Sequence, residues 1–366
     1  MGENLIYGAD ILAYGAIPDG KTDCTDAFLK AIENGENLIS VPFGDYLITK
    51  PIVLNSNTKL HLHPMANIKY IPHNKAGKSF ICAENASGIE ICGGLFNIEQ
   101  DIHCDVFSFS QCENISIYSC SVNASCAVSS FHFDSCQYIN ISGVTTNGMN
   151  DCIVFEGCCG NIYIKNCTVK SAVNVIQFGT ANKPCDISDI SIRNMNVLYC
   201  DSFTEFLSGK AQNLRIESIN TRFTFAFTKL FENFLLEDAL FEDLELYIVY
   251  RNSDETKTRS YFCFACCPDG VEIRNFKRKT DLEATPLVPT FIIKNTNTSY
   301  AKLIIDGMSL DNVIAARGKS KTVQMTTAKL SNPSNKYIYT LECKVPQNDI
   351  LTLPSGDFDY LSIDRR

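Results

Sequence analysis

The sequence predicts an all-β protein, a single-stranded right-handed parallel β-helix of about nine to eleven coils with an N-terminal capping α-helix. Three observations predict this fold class: a strand pattern that recurs about every two dozen residues, an excess of cysteine, and a capping segment before the first repeat. The 366 residues, 45% hydrophobic and 20% charged, are enough for a large core and exclude a disordered chain.

The first element is a helix over residues 22–34, TDCTDAFLKAIEN. Thr22 or Thr25 is suited to cap this helix, because a threonine hydroxyl accepts a hydrogen bond from the first turn. The apolar residues fall on one face: Ala27, Phe28, Ala31 and Ile32. An open sheet end would template aggregation, so we assign residues 1–50 to an N-terminal cap made of this helix and the first strands.

The coils are predicted over residues 51–317. A short strand of alternating apolar residues recurs there, and its first apolar positions are Ile89, Ile115, Ile139, Ile162, Ile190, Leu214, Ala239, Val271 and Leu303. The first six spacings lie between 23 and 28 residues and the last two are 32. This period is too short for a strand–helix–strand unit, and the Leu/Asn ladder of a leucine-rich repeat is absent. Each repeat is therefore expected to form one coil of three short strands.

Cysteine accounts for 18 residues, and packing in the core explains this number best. Cys112, Cys136 and Cys159 occupy one repeat position, and a free cysteine behaves as a small apolar residue. The vicinal pairs at 158–159 and 266–267 lack a partner with zinc-type spacing, so we expect no metal and no other cofactor. The first residues contain no basic segment before an apolar stretch. We therefore expect no signal peptide, reduced thiols and a cytoplasmic protein.

The tail, residues 318–366, loses the repeat and contains PSN, PQND and PSGD turns. It is expected to form irregular strands that cover the second end, with all three regions in one domain. The polar stretch 251–260 interrupts the coils and predicts a surface loop, which either walls a groove or only adds solubility. The net charge of −9 disfavours nucleic acid, and no apolar run reaches the ~18 residues of a membrane span. We expect a monomer or a homo-oligomer.

Two segments near the N-terminus, YGAIPDGKTDCTDAFLKAIENG and ISVPFGDYLI, resemble the signature of the pectate-lyase-like β-helix superfamily. The matching residues are Gly15, Ala16, Asp19, Gly20, Thr22, Asp23, Thr25, Ala27, Pro42, Gly44 and Tyr46. The resemblance implies the fold rather than a function, because the signature also occurs on glycosidases, lyases and phage tail proteins. Its aspartates are expected to cap the helix and form turns, not to catalyse.

Within the coils, the chain is most similar to the polygalacturonase-like glycoside hydrolase family 28, with degenerate catalytic motifs. That family has N-T-D, G-D-D-C-I, G-H-G-I and R-I-K on successive coils. The corresponding stretches are Ala127-Val128-Ser129, Met149-Asn150-Asp151-Cys152-Ile153, residues 173–179 and Thr204-Glu205-Phe206-Leu207. The resemblance implies that Asn150 replaces the general acid and that Asp151 keeps a carboxylate for the base. It also implies that Ser129 and Asn174 replace an Asp and the His, and that Glu205 lies near the expected Arg.

Stacking the repeats brings further polar residues to the same face. Asp134 and Glu156 fall on adjacent coils ~4.8 Å apart, where one of two carboxyls can keep its proton at neutral pH. The alternative is a pair of solvated turn residues. Glu205 beside Lys229 predicts either a catalytic carboxylate or an ion pair worth less than ~1 kcal/mol. The candidate catalytic residues are Asp151, Glu156, Glu205 and Asp134, and the candidate substrate-binding residues are Asn150, Asn174, Gln177, His132, Ser129 and Lys229.

The function that the resemblance implies is a carbohydrate-active β-helix, a glycoside hydrolase-like enzyme that acts on an oligo- or polysaccharide through a remodelled acid/base site. The alternative is a catalytically inactive glycan-binding or structural, phage-tail-like β-helix, which the loss of the acid favours. A polysaccharide lyase ranks third, because the sequence shows neither a cluster of aspartates for calcium nor a well-placed arginine.

Overall fold

The computed structural model describes most of the chain. The described residues are 8–72, 79–98, 103–124, 129–249, 260–264, 270–280, 291–294, 301–306, 325–331, 338–343 and 350–353. Of the predicted loop at 251–260, only Ser260 lies within them. The chain forms two compact units, Met1–Val173 and Asn174–Arg366.

The predicted fold class is confirmed: the protein is an all-β parallel β-solenoid with about 70% of its residues in strands and one α-helix within the described ranges. It has about seven turns, fewer than the nine to eleven that the repeats predict. The parallel stacking stops at Phe291–Lys294 and Ala301–Asp306, because each of these strands pairs antiparallel with the strand that follows it in the sheet. No helix in the described part of the chain is long and apolar enough to cross a membrane.

The first unit contains the 3-10 helix Ile11–Tyr14 and the helix α1, Thr25–Glu33. Its strands are β1 (Ala9–Asp10), β2 (Asp19–Asp23), β3 (Leu38–Val41), β4 (Asp45–Ile48), β5 (Ile52–Val53), β6 (Lys59–Leu62), β7 (Asn67–Tyr70), β8 (Ile81–Glu84), β9 (Ser87–Cys92), β10 (Leu95–Ile98), β11 (Phe107–Ser110), β12 (Glu113–Tyr118), β13 (Ser121–Ala124), β14 (Ser129–Asp134), β15 (Gln137–Ser142), β16 (Thr145–Asn147), β17 (Met149–Lys165) and β18 (Thr168–Val169). Strand β19 (Ala172–Phe178) contains the boundary between the units. The strands of the second unit are β20 (Cys185–Ile248), β21 (Phe262–Phe264), β22 (Val271–Thr280), β23 (Phe291–Lys294), β24 (Ala301–Asp306), β25 (Met325–Ser331), β26 (Ile338–Cys343) and β27 (Ile350–Leu353).

Helix α1 buries its predicted apolar face, Ala27, Phe28, Ala31 and Ile32. The prediction that Thr22 or Thr25 caps the helix is wrong: the N-cap is Cys24, whose side chain makes no capping hydrogen bond. The hydroxyl of Thr22 donates instead to Asp19, at 2.8 Å. Asp23 accepts hydrogen bonds from the backbone N–H and the hydroxyl of Thr25, at 2.9 and 2.5 Å. Both aspartates of the signature therefore hold turns, as predicted.

Each coil of the first unit contains three short strands, as in the successive triplets β8–β10, β11–β13 and β14–β16. Every strand of one triplet pairs in parallel with its counterpart in the next. The predicted repeat positions Ile89, Ile115, Ile139 and Ile162 are register partners in that order, and all four are buried. The spacing of the apolar residues therefore predicts the register correctly.

Like side chains stack in the core of the first unit. The rings of Phe109, Phe133 and Phe155 form a column whose centroids lie 5.5 Å apart at both steps. In the predicted cysteine column, the backbone N–H of Cys136 donates to the buried Sγ of Cys159 at 3.3 Å. The described cysteines from Cys24 to Cys263 are free thiols. A stack of near-identical coils offers each position the same surroundings, so one residue type suits it repeatedly.

Left-handed residues recur at the second position of one strand in each coil. Tyr138 of β15 has a φ of +57°, and Asn114 and Asn161, at the same position of the neighbouring coils, both have a φ of +55°. Asn adopts this conformation readily because its short polar side chain bonds locally, whereas an aromatic residue is strained there. Tyr138 is therefore the exception in this row.

A row of asparagines follows the outer face of the sheet made by β4, β7, β10 and β13. Asn67 donates a side-chain hydrogen bond to Asp45, Asn97 donates to Asn67 at 2.5 Å, and Asn123 donates to Asn97 at 3.1 Å. Each amide spans the gap between two coils, so the row links these strands through side chains as well as through the backbone.

The second unit keeps the repeat and the aromatic core. Ala239, Val271 and Leu303 are register partners, so the two 32-residue spacings belong to the repeat as well. The buried rings of Phe203 and Phe227 stack with centroids 4.9 Å apart. Strands β25, β26 and β27 pair antiparallel, β26 on β24 and β27 on β23.

Candidate functional site

The candidate site lies in the first unit, on the sheet formed by β8, β11, β14 and residues 149–156 of β17. Strand β14 reads SSFHFD, and its alternation buries the phenylalanines and turns His132 and Asp134 outward. In the parallel register His132 is the partner of Ser108 on the preceding coil. Asp134 is the partner of Ser110 on the preceding coil and of Glu156 on the following coil. The repeat thus gathers polar side chains from three coils on one outer face.

Three polar residues, Asp105, Ser129 and Asp151, lie on successive coils at the end of this sheet where its strands begin. Ser129 and Asp151 are register partners, and the N–H of Val106 donates to the carbonyl of Ser129 at 2.9 Å, which places Asp105 on the coil before. Ser129 is buried, and its Oγ donates to Oδ1 of Asp105 at 2.6 Å. Acidic residues on both neighbouring coils therefore flank this serine.

His132 bridges two carboxylates. Its Nδ1 lies 3.0 Å from Oδ2 of Asp105, and its Nε2 lies 3.1 Å from Oε2 of Glu156. The exposed fractions of the three side chains are 25%, 18% and 13% for His132, Asp105 and Glu156. The imidazole thus joins an acidic residue of the preceding coil to one of the following coil, largely out of water.

The two carboxylates decide the charge of the imidazole. Burial alone would lower the pKa of His132, but the hydrogen bonds and charges of Asp105 and Glu156 outweigh it and raise this pKa to about 10. At neutral pH both ring nitrogens therefore carry a proton and donate. His132 acts as a cation that holds two carboxylates, not as a general base.

This geometry excludes two kinds of chemistry. Ser129 donates to Asp105 and both nitrogens of His132 are engaged by carboxylates, so His132 cannot take the serine proton as it would in a serine–histidine pair. The imidazole also fills the space between Asp105 and Glu156, so these two carboxylates cannot enclose a glycosidic bond and its attacking water. Asp134 and Asp151 do not form such a pair either, because they lie five residues apart along the strand direction, about 16 Å. Asp105 and Asp151 lie two coils apart at one level of the sheet, about 9.6 Å, which is close to the separation that an acid and a base need.

Asp134 and Glu156 are direct register partners, as the stacking predicts. Glu156 binds His132, whereas Oδ1 of Asp134 accepts a hydrogen bond from the hydroxyl of Ser135 at 2.9 Å. Gly157 follows with a φ of +61°, and a side chain there would lie 2.2 Å from the Ser135 hydroxyl oxygen. Glycine thus permits the close approach that keeps the two acidic residues side by side.

The other predicted residues are divided between the units. Asn150 is exposed beside Asp151 in the first unit. Glu205 and Lys229 form an ion pair of 2.6 Å in the second unit, with 13% and 26% of their side chains exposed. Nε2 of Gln177 donates to the carbonyl of Gly179 at 3.1 Å, and Asn174 is 9% exposed. The ion-pair interpretation of Glu205 and Lys229 therefore agrees with the structure.

Asp105 was not predicted from the sequence, although it contacts both Ser129 and His132. It lies 24 residues before Ser129, which is one coil. Counting one repeat back from Ser129 would therefore have found it. The residue was missed because it precedes its strand and lies outside the recurring apolar pattern.

A second polar network, also absent from the sequence predictions, lies on the sheet of β6, β9 and β12. Oε1 of Glu90 accepts a hydrogen bond from the hydroxyl of Tyr118 at 2.6 Å and lies 2.6 Å from Nε2 of His61. Burial would raise the pKa of Glu90, but these hydrogen bonds and the nearby positive charges hold it below its usual value. Among the residues that the structure describes, no group of three His, Cys, Asp or Glu side chains is arranged to hold a metal ion.

Residues 9–202 match the family described as rhamnogalacturonase A/epimerase, pectate lyase-like. The chain belongs to this family. The matched range covers more than half of the chain and includes the whole cluster from Asp105 to Glu156. The resemblance of the N-terminal segment to pectate-lyase-like proteins is thereby confirmed.

Two curated phage proteins share a short segment with this pectate-lyase-like chain. It is 37% identical over 83 residues to the preneck appendage protein of Bacillus phage PZA, which is 22% of this chain and 10% of the phage protein. The pre-neck appendage protein of Bacillus phage phi29 is 36% identical over the same length. The chain thus spans about a tenth of the length of the curated relatives that it matches.

Two solved exopolygalacturonases are among the proteins with which this structure was compared. The hyperthermoactive enzyme from Thermotoga maritima has a TM-score of 0.51 at 13% identity, over 81% of this pectate-lyase-like chain and 90% of that one. The family 28 exopolygalacturonase from Yersinia enterocolitica has a TM-score of 0.49 at 13% identity, over 78% and 77% of the two chains. At such identity the likeness to the Thermotoga enzyme is one of fold.

Proposed function

We propose that this protein is a carbohydrate-active β-helix with a glycoside hydrolase-like site that acts on an oligo- or polysaccharide. One observation carries the proposal: Asp105, Ser129 and Asp151 lie side by side on three consecutive coils of one sheet. The family 28 resemblance puts the catalytic motifs on the same sheet. Two carboxyl groups at one level of a sheet and two coils apart, about 9.6 Å, are close to the separation that acid/base hydrolysis of a glycosidic bond requires.

The roles follow from the hydrogen bonds. Asp151 is the proposed base that activates water. Asp105 lies two coils from Asp151 at the same level of the sheet, about 9.6 Å away, and is the carboxyl at a separation suited to protonating the leaving oxygen. Asp134 and Glu156 lie five residues further along their strands, about 16 Å from that level, and take no part in the proposed proton transfers. Asn150 is exposed beside the base, where its amide suits sugar hydroxyls. Asn174, Gln177, Glu205 and Lys229 belong to the second unit, and the proposal does not depend on them.

The test is hydrolysis of a panel of oligosaccharides, followed by mass spectrometry of the released fragments. Asp151→Asn should lower turnover by at least ~100-fold, because an amide cannot take a proton from water. Asp186→Asn is the matched control, since Asp186 is an exposed aspartate of the second unit. Unchanged turnover in Asp151→Asn would remove Asp151 from the mechanism.

A second candidate function is glycan binding without catalysis, as in a structural appendage module. Two observations favour it: Asn150 lies where the family 28 resemblance puts the acid, and His132 engages two of the carboxylates. The segment shared with the phage appendage proteins supports it as well. Binding of an oligosaccharide without release of any product, at every pH tried, would select this function over hydrolysis.

A further inference from the structure

Tyr138 combines a strained backbone with an exposed ring. Its φ is +57°, whereas the same position in the other coils of this row holds Gly88, Asn114 and Asn161. These residue types adopt a left-handed backbone at little cost, and a tyrosine does not. The side chain is 55% exposed, and within the described ranges it makes no hydrogen bond and no ring contact. Strain that no contact in the protein offsets points to a functional role for the ring.

A second exposed ring lies on the next coil. Tyr163 is 53% exposed, and its register partner on the preceding coil is Asn140, two residues after Tyr138. Neighbouring coils lie ~4.8 Å apart and two residues of a strand advance ~6.6 Å, so the Cα atoms of the two tyrosines are about 8 Å apart. In the part of the chain that the structure describes, the side chain of Tyr163 has no ring contact and no hydrogen bond either. The sheet of β15 and residues 160–165 of β17 thus presents two separate rings to solvent.

Hydrogen-bond donors lie beside these rings. Asn140 is exposed, and its amide makes no hydrogen bond to any residue that the structure describes. Lys165, two residues after Tyr163, is exposed too and forms no ion pair among the described side chains. The amide can donate and accept, and the ammonium group can donate. We call Tyr138, Asn140, Tyr163 and Lys165 together the tyrosine face.

We infer that the tyrosine face is a second glycan-binding site, on a different sheet from Asp105 and Asp151. The inference rests on the proposed function for the class of ligand. One side of a pyranose ring exposes C–H groups, which pack on an aromatic ring, and its edge exposes hydroxyls, which bind to an amide or an ammonium group. A protein partner suits this surface less well. Two half-exposed tyrosine rings offer roughly 200 Å², whereas a stable protein interface takes ~800 Å² from each partner.

NMR of protein with carbon-13-labelled tyrosine rings tests the site directly. The probes are hexasaccharides of cellulose, galactan and polygalacturonate, added to the full chain that carries Asp151→Asn, so that cleavage does not consume them. The ring signals of Tyr138 and Tyr163 are assigned from the variants Tyr138→Phe and Tyr163→Phe. At least one hexasaccharide should shift both signals, and the shifts give a dissociation constant for this site alone.

Substitutions then separate the ring from its surroundings. Tyr138→Asn should raise the dissociation constant read from the Tyr163 signal by at least ~5-fold, because one of the two stacking surfaces is lost. Tyr138→Phe keeps the ring and should change this constant by less than ~2-fold. Phe43→Ala is the matched control, because it removes a ring 67% exposed elsewhere in the first unit and should leave the constant unchanged.

The outcomes distinguish this site from the proposed function. A hexasaccharide that the wild-type protein cleaves, but that shifts neither tyrosine signal, would overturn the inference and leave the proposed function standing. Equal weakening by Tyr138→Asn and Phe43→Ala would overturn the inference as well. Shifts of both signals without any product from the wild-type protein would support the tyrosine face and contradict hydrolysis. Absence of both binding and cleavage for every probe would contradict the site and the proposed function together.

Discussion

Oδ2 of Asp105 accepts a hydrogen bond from Nδ1 of His132 at 3.0 Å, although the two residues lie 27 positions apart in the sequence. The contact exists because one coil returns the chain to the same face of the sheet. On its other side, the same imidazole binds Glu156 of the next coil. One histidine thus links two acidic side chains across three successive coils, and its removal affects both of them.

His132→Leu should lower the free energy of unfolding by about 1–3 kcal/mol, because it leaves two largely buried carboxylates without their shared donor. Urea unfolding at pH 7 measures the change. His103→Leu, at an exposed histidine, is the control and should have little effect. Equal effects of the two variants would show that the bridge adds nothing to stability.

The contribution of His132 to stability should depend on pH. Because its pKa rises from 6.5 to about 10 on folding, the stabilisation is complete below pH 6.5 and is lost as the pH rises toward 10. The difference in unfolding free energy between wild type and His132→Leu should therefore shrink over this range. NMR titration of the imidazole gives the folded-state pKa independently, and a value near 6.5 would contradict the charged bridge.

Tyr118→Phe should raise the pKa of Glu90 and lower the free energy of unfolding by about 1 kcal/mol, because it removes the 2.6 Å hydrogen bond to the carboxylate. A carboxyl whose pKa is depressed on folding stabilises at higher pH, and this contribution is lost as the pH falls through the folded pKa. The loss should therefore be largest near neutral pH. Carbon-13 NMR of the glutamates measures the pKa, and Tyr163→Phe, at a tyrosine 53% exposed, is the control.

Tyr138→Asn should stabilise the protein by about 0.5–1 kcal/mol, because Asn tolerates the left-handed backbone that Tyr adopts under strain. Asn114 and Asn161 occupy the same position in the neighbouring coils. Thermal and urea unfolding measure the gain. Tyr163→Asn is the control within a strand, where the same substitution should be neutral or destabilising. A loss of stability in Tyr138→Asn would mean that the ring makes a compensating contact.

The adjacent thiols Cys158 and Cys159 should react at very different rates. Cys158 is exposed, whereas Cys159 is buried and burial raises the pKa of its thiol to about 12. A brief treatment of the native protein with a maleimide, followed by peptide mass spectrometry, should find Cys158 modified and Cys159 intact. Equal labelling of the two thiols would show that the backbone around Cys159 opens easily.

The sequence predicts the fold well, because a stacked coil repeats its apolar positions at a nearly fixed spacing. The partners of Ile89, Ile115 and Ile139 follow from counting alone. Counting also pairs Asp134 with Glu156. Counting does not show how far a side chain extends. The contacts of His132 with Asp105 and Glu156, which are not its register partners, were therefore not predicted.

Competing hydrogen bonds and local packing explain why the predicted helix cap and the strict alternation of side chains are wrong. The hydroxyl of Thr22, a good cap by type, is taken by Asp19, so the helix starts at Thr25 after an uncapped Cys24. Strict alternation would turn Val154, the register partner of His132, outward, but Val154 is only 5% exposed. The alternation fails there, because Cys152 to Phe155 are all buried. A repeat pattern gives each residue a coil and a position, whereas packing decides which way an individual side chain turns.

The asparagine row has a direction. An ionised Asp45 can only accept, so Asn67 must turn its NH2 toward it and its oxygen toward Asn97, and the same orientation passes to Asn123. The amide dipoles of successive coils therefore align like those of a helix, although these residues lie in strands. Asp45→Asn would replace this acceptor-only side chain with an amide that can also donate, so the whole row of amides could reverse its direction.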